Sequence, residues 1–179
     1  MSTSIRPITK VPVIESARLI MRGHRLDDFS DCCTMWADPV VTRFIGGKPF
    51  SEEETWARFL RYAGHWAVMG FGYWAIEEKE THNFVGELGF ADYRREIEPS
   101  IKGMPELGWA LASRVHGKGY ATEAVRAVLA WGDAHFSAAR TVSIIHPENL
   151  ASIRVAEKCG YKELQRSNYK GHATIIFAR

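Results

Sequence analysis

Pro105-Glu-Leu-Gly-Trp-Ala-Leu-Ala-Ser-Arg-Val-His-Gly-Lys-Gly-Tyr-Ala-Thr-Glu-Ala124 holds a strand pattern, a loop with two glycines and the first turn of a helix, joined without a break. The first turn of a helix carries backbone N–H groups with no intrahelical partner and the positive end of the helix dipole. Glycines let a backbone approach a ligand closely. Together these make an anion site suited to phosphate or pyrophosphate. The competing reading is a plain strand-to-helix turn with glycines for geometry. Two other phosphate motifs are excluded by inspection. Gly117-Lys118 is followed by Gly119 rather than Ser or Thr, so this is no P-loop, and Thr122 stands where a dinucleotide fingerprint needs glycine.

Working outward, Glu106–Ala112 alternates as a strand, and 119–136 puts Ala121, Ala124, Val125, Val128, Leu129 and Gly132 on one helical face. Downstream, 141–146 is β-rich, 149–158 is a short helix closed by Gly160, and 161–166 and 173–178 are strands. Upstream, 71–77 and 83–91 form a hairpin. Before it, Ser51-Glu-Glu-Glu54 is a capping box that starts a helix carrying Trp56, Phe59, Leu60 and Ala63. A strand at 18–22 and a helix at 26–37, stopped by Asp38-Pro39, come earlier, after an irregular lead-in over 1–14. No repeat or linker divides the chain, so the expectation is a single α/β domain, mixed α+β in its layering, over 1–179.

The chain has 179 residues, 46% hydrophobic and 12% aromatic, enough for one core and unlike a disordered chain. Lys+Arg 23 against Asp+Glu 21 is near balance, which argues against nucleic-acid binding through bulk charge. No apolar run is long enough for a membrane span, and the opening residues lack a signal-peptide core. Cys32, Cys33 and Cys159 make no disulfide framework and suit reduced thiols in the cytoplasm. The histidines are scattered without zinc spacing, so no metal is expected.

Arg114-Val-His-Gly117-Lys-Gly119 resembles the R/Q-x-x-G-x-G/A motif of the GNAT N-acetyltransferase superfamily, and Tyr120-Ala-Thr-Glu-Ala124 its following helix. Asn149-Leu-Ala-Ser152 through Gly160-Tyr161 resembles the family's second signature, so the likeness spans roughly 15–179. The opening Glu15-Ser-Ala-Arg-Leu-Ile-Met-Arg22 and the place of Ser152 look most like the ribosomal-protein N-terminal (RimJ/RimL-like) subgroup. The resemblance implies a mostly antiparallel sheet of about seven strands with about four helices, splayed where acetyl-CoA lies. It implies pyrophosphate on the amides of Val115, Gly117, Lys118, Gly119 and Tyr120, with charge from Arg114 and Lys118. It also implies pantetheine contacts at Leu111, Asn149 and Ser152.

Acetyl transfer to an amine needs a proton removed, an oxyanion stabilised and a thiolate released. Glu106 is the first candidate base: it shares a strand face with Gly108 and Ala110, which leaves room for a ligand beside it. Glu87, alternating with Val85 and Gly89, is the second. The resemblance puts the oxyanion on a backbone N–H of the Trp109–Leu111 strand. The tyrosine that many relatives use as acid is missing, with Val155-Ala156 in its place, and Ser152 is the nearest alternative. Cys159 reads as core and His116 as a bystander in the loop.

The acceptor is expected to enter over the aromatic stretch from Trp36 to Phe71, with residues near Phe44–Phe50 lining its pocket. A protein N-terminal α-amine is one acceptor reading. A small amine (polyamine, amino sugar, antibiotic or amino-acid derivative) is the second. A non-catalytic acyl-CoA sensor is the third. Either a monomer or a homodimer is compatible with the sequence.

Overall fold

The computed structural model describes residues 10–136 and 140–179; the first nine residues of the expected lead-in lie outside them. The strands are β1 (Ile14–Glu15), β2 (Leu19–Arg22), β3 (Tyr73–Glu78), β4 (Phe84–Ala91), β5 (Glu106–Leu111), β6 (Val142–Ile145), β7 (Lys162–Tyr169) and β8 (His172–Ala178). The helices are α1 (Phe29–Trp36), α2 (Pro39–Thr42), α3 (Glu52–Met69), α4 (Tyr120–His135) and α5 (Leu150–Lys158). They make one eight-stranded sheet in the order β1-β2-β3-β4-β5-β6-β8-β7. Every neighbouring pair is antiparallel except β5–β6. Among the described residues no helix is long and apolar enough to cross a membrane.

The sheet is covered on both faces, which is why every residue of β4 is buried. Trp74, Ile76, Leu88, Phe90 and Leu107 point to the α4 side, where they meet Ala124, Val125, Val128 and Leu129. Ala75, Phe84 and Ala110 face the other way and pack on Cys32, Met35, Trp36 and Phe59 of α1 and α3. The period-two and period-3.6 patterns therefore meet across the sheet as the sequence requires.

Two details go beyond the expected counts of strands and helices. Ile14–Glu15 pairs with β2 and adds an edge strand. Asp38-Pro39 ends one helix and also begins another: the Asp38 side chain accepts from the Val40 amide, and Pro39 takes the first helical position. The capping box at Ser51–Glu54 is present in both directions.

A buried ion cluster ties α1 to the sheet. Arg22 donates from Nε to Glu77 at 2.6 Å and from Nη1 and Nη2 to Asp28 at 2.8 Å. Burial alone would raise the Asp28 pKa, but hydrogen bonds from Arg22 and the Arg25 amide outweigh it and hold it below the ordinary range. Glu77 is lowered in the same way, burial being outweighed by Arg22 and His82. Groups with depressed folded pKa values stabilise the fold above their unfolded pKa of about 4, and that contribution is lost as pH falls through the folded value. Thermal midpoints should accordingly drop as pH is lowered from about 5 towards 3. Asp28→Asn should lose about 3 kcal/mol at neutral pH and show a shallower acid loss, read by urea unfolding at each pH.

Candidate active site

The site is built where β5 and β6 part. These parallel strands share one registered pair, Glu106 with Val142, and the Val142 amide donates to the Pro105 carbonyl at 3.0 Å. Backbone groups alternate between strand edges, so the peptide groups of Leu107, Trp109 and Leu111 lie on the β6 side. Beyond the single pair, that edge is open at Trp109 and Leu111. A short 3-10 turn over Ser113–Val115 leads to the glycine loop, and α4 starts at Tyr120. The N-terminal turn of α5 follows β6 at the same end. Two helix N-termini thus flank the gap, as in other crevices at the carboxyl ends of parallel strands.

Gly117 and Gly119 both have φ of +79°, a left-handed conformation that side chains resist. A methyl group on Gly117 would meet nothing within 4 Å, and one on Gly119 would meet only Arg18, at 3.6 Å. These glycines are set by backbone geometry rather than by crowding inside the chain. The amides of Gly117, Gly119 and Tyr120 have no backbone or side-chain acceptor among the described residues. The expected donor set needs correction at Val115, whose amide closes the 3-10 turn on the Ala112 carbonyl at 3.0 Å. The Lys118 amide is turned back too, towards Val115 at 3.4 Å. Arg114 reaches the Phe84 carbonyl and braces the loop against β4 instead of pointing at its open side. The Leu111 carbonyl accepts from His116 Nε2 at 2.9 Å, so the Leu111 amide is the freer of its two groups. His116 therefore fastens the loop to the strand.

The loop is held from outside by a pair the sequence reading did not single out. Glu123, in the first turn of α4, accepts from the Ser16 hydroxyl and from the Arg18 amide and Nε at 2.7–2.8 Å. Arg18 also donates to the Lys118 carbonyl at 3.0 Å. An acidic residue in a first helical turn was the available sequence signal; its partner, 105 positions away, had none. A groove of about 860 Å³ opens beside Gly119 and runs between Arg18, Arg126 and Lys158. It lies on the outer side of α4 and does not include β5, so it has room for the distal part of a ligand rather than for its reacting end.

Asn149 caps α5, its Oδ1 accepting from the Ser152 amide at 3.2 Å. The Ser152 hydroxyl is half-buried with no partner among the described residues. Cys159 is buried in the main core, as expected.

The two carboxylates meet different constraints. Glu106 is buried and bound bidentately by Arg95, at 2.6 and 2.8 Å. The room expected beside it is filled, because the hydroxyl of Tyr73 lies over Gly108. Tyr73, Gly89 and Gly108 form a row across β3, β4 and β5, and the glycines let the tyrosine lie flat across it. Glu87 is sealed under α1 at 1% exposure. It accepts from His24 Nε2 at 3.1 Å, Cys32 Sγ at 3.2 Å and Trp36 Nε1 at 2.9 Å. Burial alone would raise its pKa, but these donors outweigh that and hold it below the ordinary range. Its enclosure and its three donors weigh against the expected role of Glu87 as base. His24, Cys32 and Glu87 lie close enough to resemble a metal site, yet each contact is explained as a hydrogen bond to one buried anion.

Segment 38–50 closes over the mouth of the gap. Asp38 accepts from the Ser113 hydroxyl, and Phe44 stacks on His146 at 5.2 Å. Above β5 the wall is aromatic and basic: Tyr62 stacks on Tyr73 at 4.3 Å, and Arg58, Arg61 and Arg95 lie against Trp36, Phe50, Tyr93 and Tyr169. Burial pushes the Tyr62 and Tyr73 phenols well above their ordinary values, so both stay neutral.

With this geometry in view, the family model for the acetyltransferase (GNAT) domain matches residues 18–162, most of the chain. The chain belongs to the GNAT acetyltransferase family, and it is an acyltransferase, with acetyl-CoA as the family's usual donor. It is 27% identical over 162 residues to the uncharacterized N-acetyltransferase p20 of Bacillus licheniformis, covering 89% of this chain and 88% of that one. A solved acetyltransferase from Agrobacterium tumefaciens superposes with a TM-score of 0.82 at 25% identity, covering 99% of each chain. RimL, a ribosomal L7/L12 alpha-N-protein acetyltransferase solved with coenzyme A, superposes at 0.73 with 17% identity, covering 94% of this chain and 97% of that one, and shares the fold.

Gly117→Ala and Gly119→Ala should each weaken coenzyme A binding at least tenfold by titration calorimetry, because a methyl group at positive φ displaces the loop amides. The strain should cost about 1–2 kcal/mol of stability as well. Unchanged affinity in both would place the phosphates elsewhere. Glu87→Ala should cost about 3 kcal/mol or more in urea unfolding, since it strands buried donors.

Proposed function

We propose that this protein transfers the acetyl group of acetyl-CoA directly to a primary amine that enters over α1 and α3. The observation that carries the reading is the free amides of Gly117, Gly119 and Tyr120 beside the open edge of β5. The thioester supplies an activated acetyl group. The loop amides and the start of α4 would hold the pyrophosphate. The groove past Gly119, with Arg126 and Lys158, suits the distal end of the donor. Trp109 or Leu111 would donate a backbone N–H to the oxygen that gains negative charge, an interaction worth ~10²–10³ in rate.

The roles of the side chains follow from their partners. Glu106 and Arg95 act as a positioning pair, since both carboxylate oxygens already accept from the guanidinium. The amine sheds its proton to water, helped by the nearby guanidiniums, which disfavour a second positive charge. Ser152 donates its free hydroxyl to the departing sulfur. A thiol with pKa ~8.5 leaves readily, so this help is modest.

The test follows free thiol in assays with acetyl-CoA and a panel of primary amines. Glu106→Gln should lower kcat/KM about tenfold without moving the acid limb of the pH profile. A moved limb would make Glu106 the base. Ser152→Ala should reduce turnover no more than about tenfold, given the ~8.5 thiol pKa.

A further inference from the structure

The guanidiniums on the α1–α3 side of the sheet are buried or half-buried and stand in unequal states. Arg22 is held by Asp28 and Glu77, and Arg95 by Glu106. Arg58 has no carboxylate among the described residues. Its Nε is the one buried side-chain nitrogen or oxygen, among the described residues, that lacks a hydrogen-bond partner. Its guanidinium lies 4.2 Å over Trp36 and 4.9 Å over Phe50, and its Nη1 donates to the Tyr62 hydroxyl at 3.2 Å. Rings on one side and one phenol leave an N–H edge of a permanently charged group unmatched. Removing a charge from water without a counter-charge is costly, and such groups are normally paired.

Arg58 also stands next to the proposed reaction centre. Trp36, under its guanidinium, shares a core cluster with Ala110 of β5 and Ala112 just past it, and Phe50 packs against that cluster. Tyr62, its hydrogen-bond partner, stacks on Tyr73, whose hydroxyl covers Gly108 at the middle of the same strand. A group bound on Arg58 is thus one side-chain layer from the open edge of β5. Of the charges around it, Arg61 and Arg95 lie at 5.1 and 4.6 Å over Tyr93, Glu106 is already matched by Arg95, and Glu87, beyond the Trp36 ring, is enclosed by its own donors.

We propose that Arg58 binds the carboxylate of the acceptor, and that the substrate is a small amine carrying a carboxylate, of the amino-acid type. The planar guanidinium fork matches a carboxylate through paired N–H···O bonds. The same field disfavours polyamines and aminoglycoside-like polycations. This inference rests on the acetyl-transfer reading above and narrows its acceptor.

The experiment uses the full-length protein, with coenzyme A binding measured first by calorimetry. Initial rates with acetyl-CoA are then compared for the proteinogenic L-amino acids, their amides, spermidine, and short peptides with acidic or neutral first residues. At least one free amino acid should exceed its own amide in kcat/KM by tenfold or more, and spermidine should be poor. Arg58→Lys and Arg58→Gln should collapse that carboxylate-to-amide ratio through KM, while the KM for acetyl-CoA stays within about twofold as the check on folding. Amides or spermidine equal to or better than the acids would overturn the proposal. So would turnover of the peptides alone, an unchanged ratio in both variants, or no turnover of any free amino acid by a protein that binds coenzyme A. Absent coenzyme A binding would instead overturn the acetyl-transfer reading beneath it.

Discussion

The single ladder pair between β5 and β6 is the constraint on which the rest of the site depends. A parallel connection needs a crossover, and here α4 provides it, so a helix start is placed beside the carboxyl end of β5. Because the strands part after Glu106–Val142, the backbone edge at Trp109 and Leu111 has no neighbouring strand. Elsewhere an open edge inside a sheet would be a liability. Here the glycine loop, α5 and segment 38–50 surround it, so its unpaired backbone groups face a gap inside the fold rather than an outer edge.

Charge inside the protein falls into two kinds. Arg22 with Asp28 and Glu77, and Glu87 with His24, Cys32 and Trp36, are closed sets in which each anion has its donors. They fasten α1 to β2, β3 and β4 and so fix the floor of the acceptor side. The second kind faces the gap: Arg95 holds Glu106, and Arg58 is incompletely matched. Closed sets stabilise and orient, whereas a buried polar group without a partner calls for one. This division sets Glu87 among the closed sets and Glu106 beside the gap, although their strand positions look alike in sequence.

The sequence by itself determined the strand–loop–helix unit, because its signals are local. Alternation in Glu106–Leu111, the two glycines at 117 and 119 with positive φ and the apolar stripe of α4 are all signals between close neighbours along one continuous stretch. The capping box at Ser51 and the cap at Asn149 are equally local and are formed as read. Asp38-Pro39 was legible as a helix end, but its second role as a helix start depended on the Asp38 side chain turning to Val40.

Only the tertiary structure decided what the charged groups do. Glu106 looks free in sequence because Arg95 lies in a loop with no periodicity to place it. Glu87 looks like a base because its donors come from α1 and the loop before it, 51 to 63 positions away. Arg18 and Glu123, and Arg58 over Trp36 and Phe50, belong to the same class. Backbone preferences are set by neighbours along the chain, so the sequence carries them directly. The state of an ionisable side chain is set by desolvation and by partners brought from a distance, and these exist only once the sheet and its helices have packed.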